Sequence, residues 1–198
     1  MKFDLMYRIG FLGGLGLSEL WNDNYVQKHP HIRQVTHDGK VLQKASLAYP
    51  EVQKLILEQI QESCQLIDTD GINLCFVRGP HFLRWEKPVR DAFEAKYGGS
   101  SAAVAENDPR INIVRGEIMT AFLKLVKARL DDIGNKRGRN LTMSVWVWPH
   151  EQNVWLGRRA EDEGLNVEDW IRQGLLDSVI CQEGIDESYI ELGKKHGC

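Results

Sequence analysis

The chain has 198 residues, enough for one domain with a real core. Its 42% hydrophobic and 27% charged residues are ordinary for a soluble globular protein, and a net charge of −3 gives no reason to expect nucleic acid, which wants a basic face. No run approaches the ~20 apolar residues of a membrane span, and Asp4 and Arg8 interrupt the apolar N-terminus, which argues against a signal peptide.

Residues 3–9 read as a strand, followed by a loop carrying Gly10, Gly13, Gly14 and Gly16. That loop lacks both the Gly-Lys-Ser/Thr ending of a phosphate loop and GxGxxG spacing, so a nucleotide site is not indicated. Ser18 is placed to cap a short helix that stops at Pro30. His37-Asp38-Gly39-Lys40 reads as a turn in an extended connector.

Pro50 suits the first turn of a helix. Val52, Leu55, Ile56, Ile60, Cys64 and Ile67 then recur at helical spacing. The stretch from Asp68 to Glu86 is the centre of the chain. Asp70-Gly71 marks a turn. Ile72, Leu74, Phe76 and Val77 form an apolar run of strand length. Arg78-Gly79-Pro80 breaks it, and a loop of His81, Phe82, Arg84, Trp85 and Glu86 follows.

A helix is expected over Lys87–Tyr97, ended by Gly98-Gly99, and residues 99–107 read as a loop. Asp108-Pro109 opens a long helix to about Asp132. The basic run GNKRGRN after it reads more readily as a solvated turn than as a phosphate site. Leu141 to Trp148 alternates as a strand, with Leu141, Met143, Val145 and Val147 on one face and Thr142, Ser144, Trp146 and Trp148 on the other. Asn166 is placed to cap a short helix, residues 175–180 read as a last buried strand, and the tail beyond Ile190 is expected to fray.

Alternation of strands and helices points to a parallel α/β sheet with about four readable strands. No repeat or low-complexity linker divides residues 1–198. Cys64, Cys75, Cys181 and Cys198 are far apart with no CxxC, so no metal site is indicated and all four read as structural or incidental thiols. No cofactor motif is present either.

The segments AYPEVQKLILEQI, DTDGINLCFVRGP, EIMTAFLKLVKARL and GLNVEDWIRQGLLDSVI resemble, in this order, a bacterial family of glycosyl-hydrolase-like TIM barrels, the family-10-like glycosyl hydrolases. The resemblance spans Met1 to Ile180. It implies that KFDLMYRIG, INLCFVR, LTMSVWVW and LLDSVI are the third to sixth strands of a (β/α)₈ barrel. A complete barrel needs ~250 residues, so the resemblance implies a partial or truncated barrel, or a fragment of a longer one. Such a sheet has two open edges, so the chain is expected to dimerise, aggregate or need a missing complementary segment.

The resemblance also implies a carbohydrate ligand, bound at the C-terminal ends of the strands. Sugar sites combine aromatic faces, hydroxyl-bonding Arg, Asn and His, and a pair of carboxylates. Arg8 and Arg78 end their strands where the family carries Arg. Their plainer readings are a solvated strand end and a pair with Asp91. Trp85 follows in the loop. Trp148 and His150 cluster with Glu151 and Trp155 after the next strand, a platform suited to a sugar. Glu86 is the only carboxylate between the central strand and its helix, hence the candidate acid; its plainer role is at the helix N-terminus, where a carboxylate favours the dipole. Glu183 has only its position to support it.

Related sequences commonly carry acidic residues inside the strand after the DGI turn. Here Asn73 and Cys75 stand there, both expected to point into the barrel. Two readings remain: a glycoside hydrolase, and a non-catalytic carbohydrate-binding half-barrel or fragment.

Overall fold

In a computed structural model the chain is described over residues 2–9, 24–77, 81–149, 159–182 and 184–198. Strand β1 (Asp4–Arg8) is followed by a short helix, α1 (Asn24–Lys28). A hairpin of β2 (Arg33–Val35) and β3 (Val41–Ala45) comes next, antiparallel and turned at Gly39, where φ is 85°. The sequence predicted the turn at His37–Lys40 but only an extended connector on either side of it; both strands are short and mixed in character. Then come α2 (Pro50–Leu66), β4 (Gly71–Cys75), α3 (Lys87–Tyr97), α4 (Pro109–Arg137), β5 (Thr142–Val147), α5 (Val167–Arg172), β6 (Ser178–Cys181) and α6 (Glu187–His196).

Several ends lie where local chemistry puts them. Proline stands in the first turn of α2, α3 and α4, where its missing N–H costs nothing. Gly98 closes α3 at φ 72°, and Asp108 caps α4 by accepting from the Arg110 N–H at 2.9 Å. Two expectations are corrected. α4 runs past Asp132 to Arg137 and ends on the left-handed Gly138. The tail is helical rather than frayed: Asp186 accepts from the Tyr189 N–H, and Tyr189 is buried in the core.

The basic turn after α4 serves the fold. Arg137 donates to the carbonyls of Cys64, Ile67 and Thr69, and Arg139 pairs with Asp68 and Asp70. These contacts fasten the start of β5 to the start of β4. Gly71 is required there because a Cβ would collide with Thr142.

β1, β4, β5 and β6 form one parallel sheet in that order, so the strands of this sheet lie side by side in the order of the chain. Right-handed crossovers in a sheet of sequential order put every helix on one face. Register agrees: Leu5, Ile72 and Met143 lie in one row, and Tyr7, Leu74 and Val145 in the next. All six belong to one apolar core with α2, α3, α4 and α5. The other face carries Met6, Arg8, Asn73, Cys75, Ser144, Trp146, Ser178 and Ile180. This is the α/β parallel sheet that the alternation predicted, with Asn73 and Cys75 facing away from the helices. β1 and β6 each have one partner strand among the described residues.

Candidate functional site

The face of the sheet turned away from α2 to α5 is ordered in rows. Met6, Asn73, Ser144 and Ser178 form one row; Arg8, Cys75, Trp146 and Ile180 form the next, nearer the C-terminal ends of the strands. The flanks are open, with Met6 49% and Ile180 46% exposed, while Asn73 in the centre is only 4% exposed. Above them Val77 and Trp148 pack with Cys75 and Trp146 in a small apolar cluster separate from the main core.

The centre of this face is incompletely satisfied. Asn73 donates from Nδ2 to Ser144 Oγ at 2.9 Å, and Ser144 donates to the Ile72 carbonyl at 3.3 Å. Among the described residues, Asn73 Oδ1 is buried with no hydrogen-bond partner, and so is Trp146 Nε1. One is an acceptor and the other a donor, on adjacent strands and one face. A buried polar group left unmade costs about 1–3 kcal/mol.

The expected site residues fall in three groups. Arg8 and Trp148 lie on this face: Arg8 is exposed at the end of β1 and engages a neighbour, and Trp148 is buried at 1% exposure. Arg78 and His150 lie outside the described residues, as do Glu151, Trp155 and Glu183. Trp85 and Glu86 belong to the layer above the strand ends, where the β2–β3 hairpin covers the β4–α3 loop. Trp85 lies edge-on to His37 at 4.7 Å between ring centroids, with the Arg115 guanidinium 5.8 Å from its own. Arg115 in turn donates to the Arg84 carbonyl at 3.1 and 3.2 Å.

Glu86 is fully buried at 0% exposure. Its side chain does not cap the helix: the carboxylate makes no cap bond to α3. It accepts instead from the Ser46 hydroxyl, from the Arg84 N–H at 2.9 Å, and from the Val35 N–H at 3.4 Å. Burial pushes its pKa up, against the pull of these donors. Glu86 thus ties the hairpin to the loop, and both its oxygens are engaged by the protein.

Beside it the same layer holds a second ionisable group of residues that local sequence gave no sign of. His81 Nδ1 meets Glu163 Oε2 at 2.7 Å, joining the β4–α3 and β5–α5 connections. Glu163 is 2% exposed; the following Gly164, at φ 74°, lets the loop turn tightly against Arg115 and Gly116. The His81 carbonyl accepts from Gln34 Nε2 at 2.6 Å and from Lys44 Nζ at 2.7 Å. Burial lowers the Lys44 pKa to about 8, with the Glu163 and Glu86 carboxylates opposing the fall.

Among the described residues no helix is long and apolar enough to cross a membrane, and no group of three His, Cys, Asp or Glu is set to hold a metal ion. The cysteines are free thiols, and burial raises the pKa of Cys181 to about 11.

No family model and no curated protein matches the chain. Among solved structures it is similar to a glycoside hydrolase family 18 N-acetylglucosaminidase from Paenibacillus barengoltzii, at 16% identity and a TM-score of 0.37, over 67% of this chain and 30% of that one. It is also similar to α-L-fucosidase isoenzyme 2 from Paenibacillus thiaminolyticus, at 12% identity and a TM-score of 0.46, over 99% of this chain and 37% of that one. The chain therefore spans well under half the length of either structure. Likeness of this degree assigns neither activity nor substrate.

Proposed function

We propose that the chain is a carbohydrate-binding part of a glycoside-hydrolase-like barrel, with its four parallel strands as consecutive barrel strands. The observation that carries this reading is the buried pair of Asn73 Oδ1 and Trp146 Nε1, without partners among the described residues, on the face turned away from α2 to α5. A sugar hydroxyl both donates and accepts, so one polyol edge satisfies both atoms. Trp146, packed on the buried Trp148, adds apolar ring surface beside them, and Arg8 adds a charged donor at the rim. Arg78 and His150 are proposed as further ligand-binding residues on their place in the sequence alone.

Binding is the core of the proposal. Hydrolysis further needs a carboxylate pair about 5–9.5 Å apart, and Glu86 is held away from ligand by three protein donors. Binding of oligosaccharides from a glycan array, lost in Asn73→Leu, supports the reading; an array on which the wild type is silent contradicts it. Release of reducing sugar that vanishes in Glu86→Gln would restore Glu86 as the acid and make the chain a hydrolase. The same reading gives the open edges of β1 and β6 to further strands of a barrel, contributed by another segment or by a second copy. A clean, stable monomer at micromolar concentration in sedimentation contradicts that part.

A further inference from the structure

The His81–Glu163 contact has features that a simple loop clasp does not require. The imidazole is positioned from both ends: two donors, Gln34 and Lys44, hold its own backbone carbonyl, and Glu163 holds the ring. A carboxylate can only accept, so Nδ1 is the donor and carries the proton. In the neutral ring this leaves Nε2 with a bare lone pair. Nε2 has no hydrogen-bond partner among the described residues, and the side chain is 26% exposed. A nitrogen acceptor of fixed direction, backed by a carboxylate that is itself buried, is the arrangement used where an imidazole must meet an incoming O–H.

Its place in the fold agrees. The pair bridges the connections that leave the C-terminal ends of β4 and β5, the two strands that carry Asn73, Ser144 and Trp146. In parallel α/β sheets that end of the strands is where ligands are met.

We propose that His81 is a ligand-contacting residue, its Nε2 accepting a hydrogen bond from a hydroxyl group of the ligand while Glu163 fixes the ring. The chemical class is a neutral polyol. The ligand rests on the carbohydrate reading above; the open acceptor does not.

The deciding variant is His81→Asn. An asparagine amide reaches about as far as Nδ1, so it keeps the donor to Glu163 and removes only Nε2. The expected result is wild-type melting temperature with affinity for the array oligosaccharide reduced about tenfold, the size of one hydrogen bond. Wild-type affinity in His81→Asn reduces the pair to a loop clasp and overturns the proposal. A second measurement needs neither a variant nor a sugar. Diethyl pyrocarbonate acylates imidazole nitrogens with a free lone pair, so peptide mapping of the treated wild type is expected to find His81 modified alongside the C-terminal His196. An unmodified His81 overturns the proposal. If no oligosaccharide binds the wild type while His81 reacts, the carbohydrate reading falls and the open acceptor stands.

Discussion

The two faces of one sheet differ in kind. On the helix side, Leu5, Tyr7, Ile72, Leu74, Met143, Val145 and Val179 meet α2 to α5 in a single apolar core. On the other side the same strands present Met6, Arg8, Asn73, Cys75, Ser144, Trp146 and Ile180, a mixture with unmade hydrogen bonds at its centre. The first face is what a fold needs. The second is a poor way to build a core, because buried polar groups without partners oppose folding. Selection for stability alone would fill Asn73 with an aliphatic residue. The difference between the faces is the ground on which the second is proposed to meet a ligand.

That contrast can be broken in several ways. The largest effect is expected on the helix side: Leu74→Ala, at a fully buried position, should lose about 3 kcal/mol in denaturant unfolding through lost transfer energy and a cavity. A loss under about 1 kcal/mol would mean that the two faces are not energetically distinct. Next comes Glu86→Ala, which leaves the Ser46 hydroxyl and the N–H groups of Arg84 and Val35 without their acceptor. It should cost roughly 2 kcal/mol and loosen the β2–β3 hairpin, read as faster amide exchange at Val35. Asn73→Leu, on the other face, should change stability by no more than about 1 kcal/mol, since the lost donor to Ser144 Oγ is offset by removal of a buried acceptor with no partner among the described residues, and Ser144 keeps its bond to the Ile72 carbonyl. A large loss of stability there would make Asn73 part of the core.

The smallest effect is a pH dependence. Lys44 has a folded pKa of about 8, below its ordinary 10.5, so folding disfavours its charged form. Its contribution to stability is complete above pH 10.5 and is lost as pH falls through 8. Wild-type stability should therefore carry a rising component between those values, and Lys44→Met should flatten it. An unchanged slope in the variant would place Lys44 in ordinary solvent.

Much of the helix-side architecture was legible from local signals. The apolar run Ile72, Leu74, Phe76, the period-two pattern of Leu141 to Trp148, and prolines at 50, 88 and 109 each mark structure within a few residues. Alternation also placed Asn73 and Cys75 away from the helices. What escaped was nonlocal. The β2–β3 hairpin is built from Arg-Gln-Val and Val-Leu-Gln-Lys-Ala, with no clean alternation, and it gains its place by covering the β4–α3 loop. Glu86 looked like a capping or acid residue because its partners Ser46 and Val35 are 40 and 51 positions away. His81 and Glu163 are 82 positions apart, and neither has a neighbour in sequence that announces the pair.

The most direct test of the central claim is an oligosaccharide titration followed by the tryptophan indole N–H resonances. Trp170 Nε1 donates to Thr120 Oγ1 at 2.8 Å on the helix side and serves as the internal control. The account predicts that the Trp146 indole proton shifts on saturation, with the Asn73 side-chain amide, while Trp170 stays in place. Binding that leaves Trp146 unmoved, or that moves Trp170 instead, would contradict it.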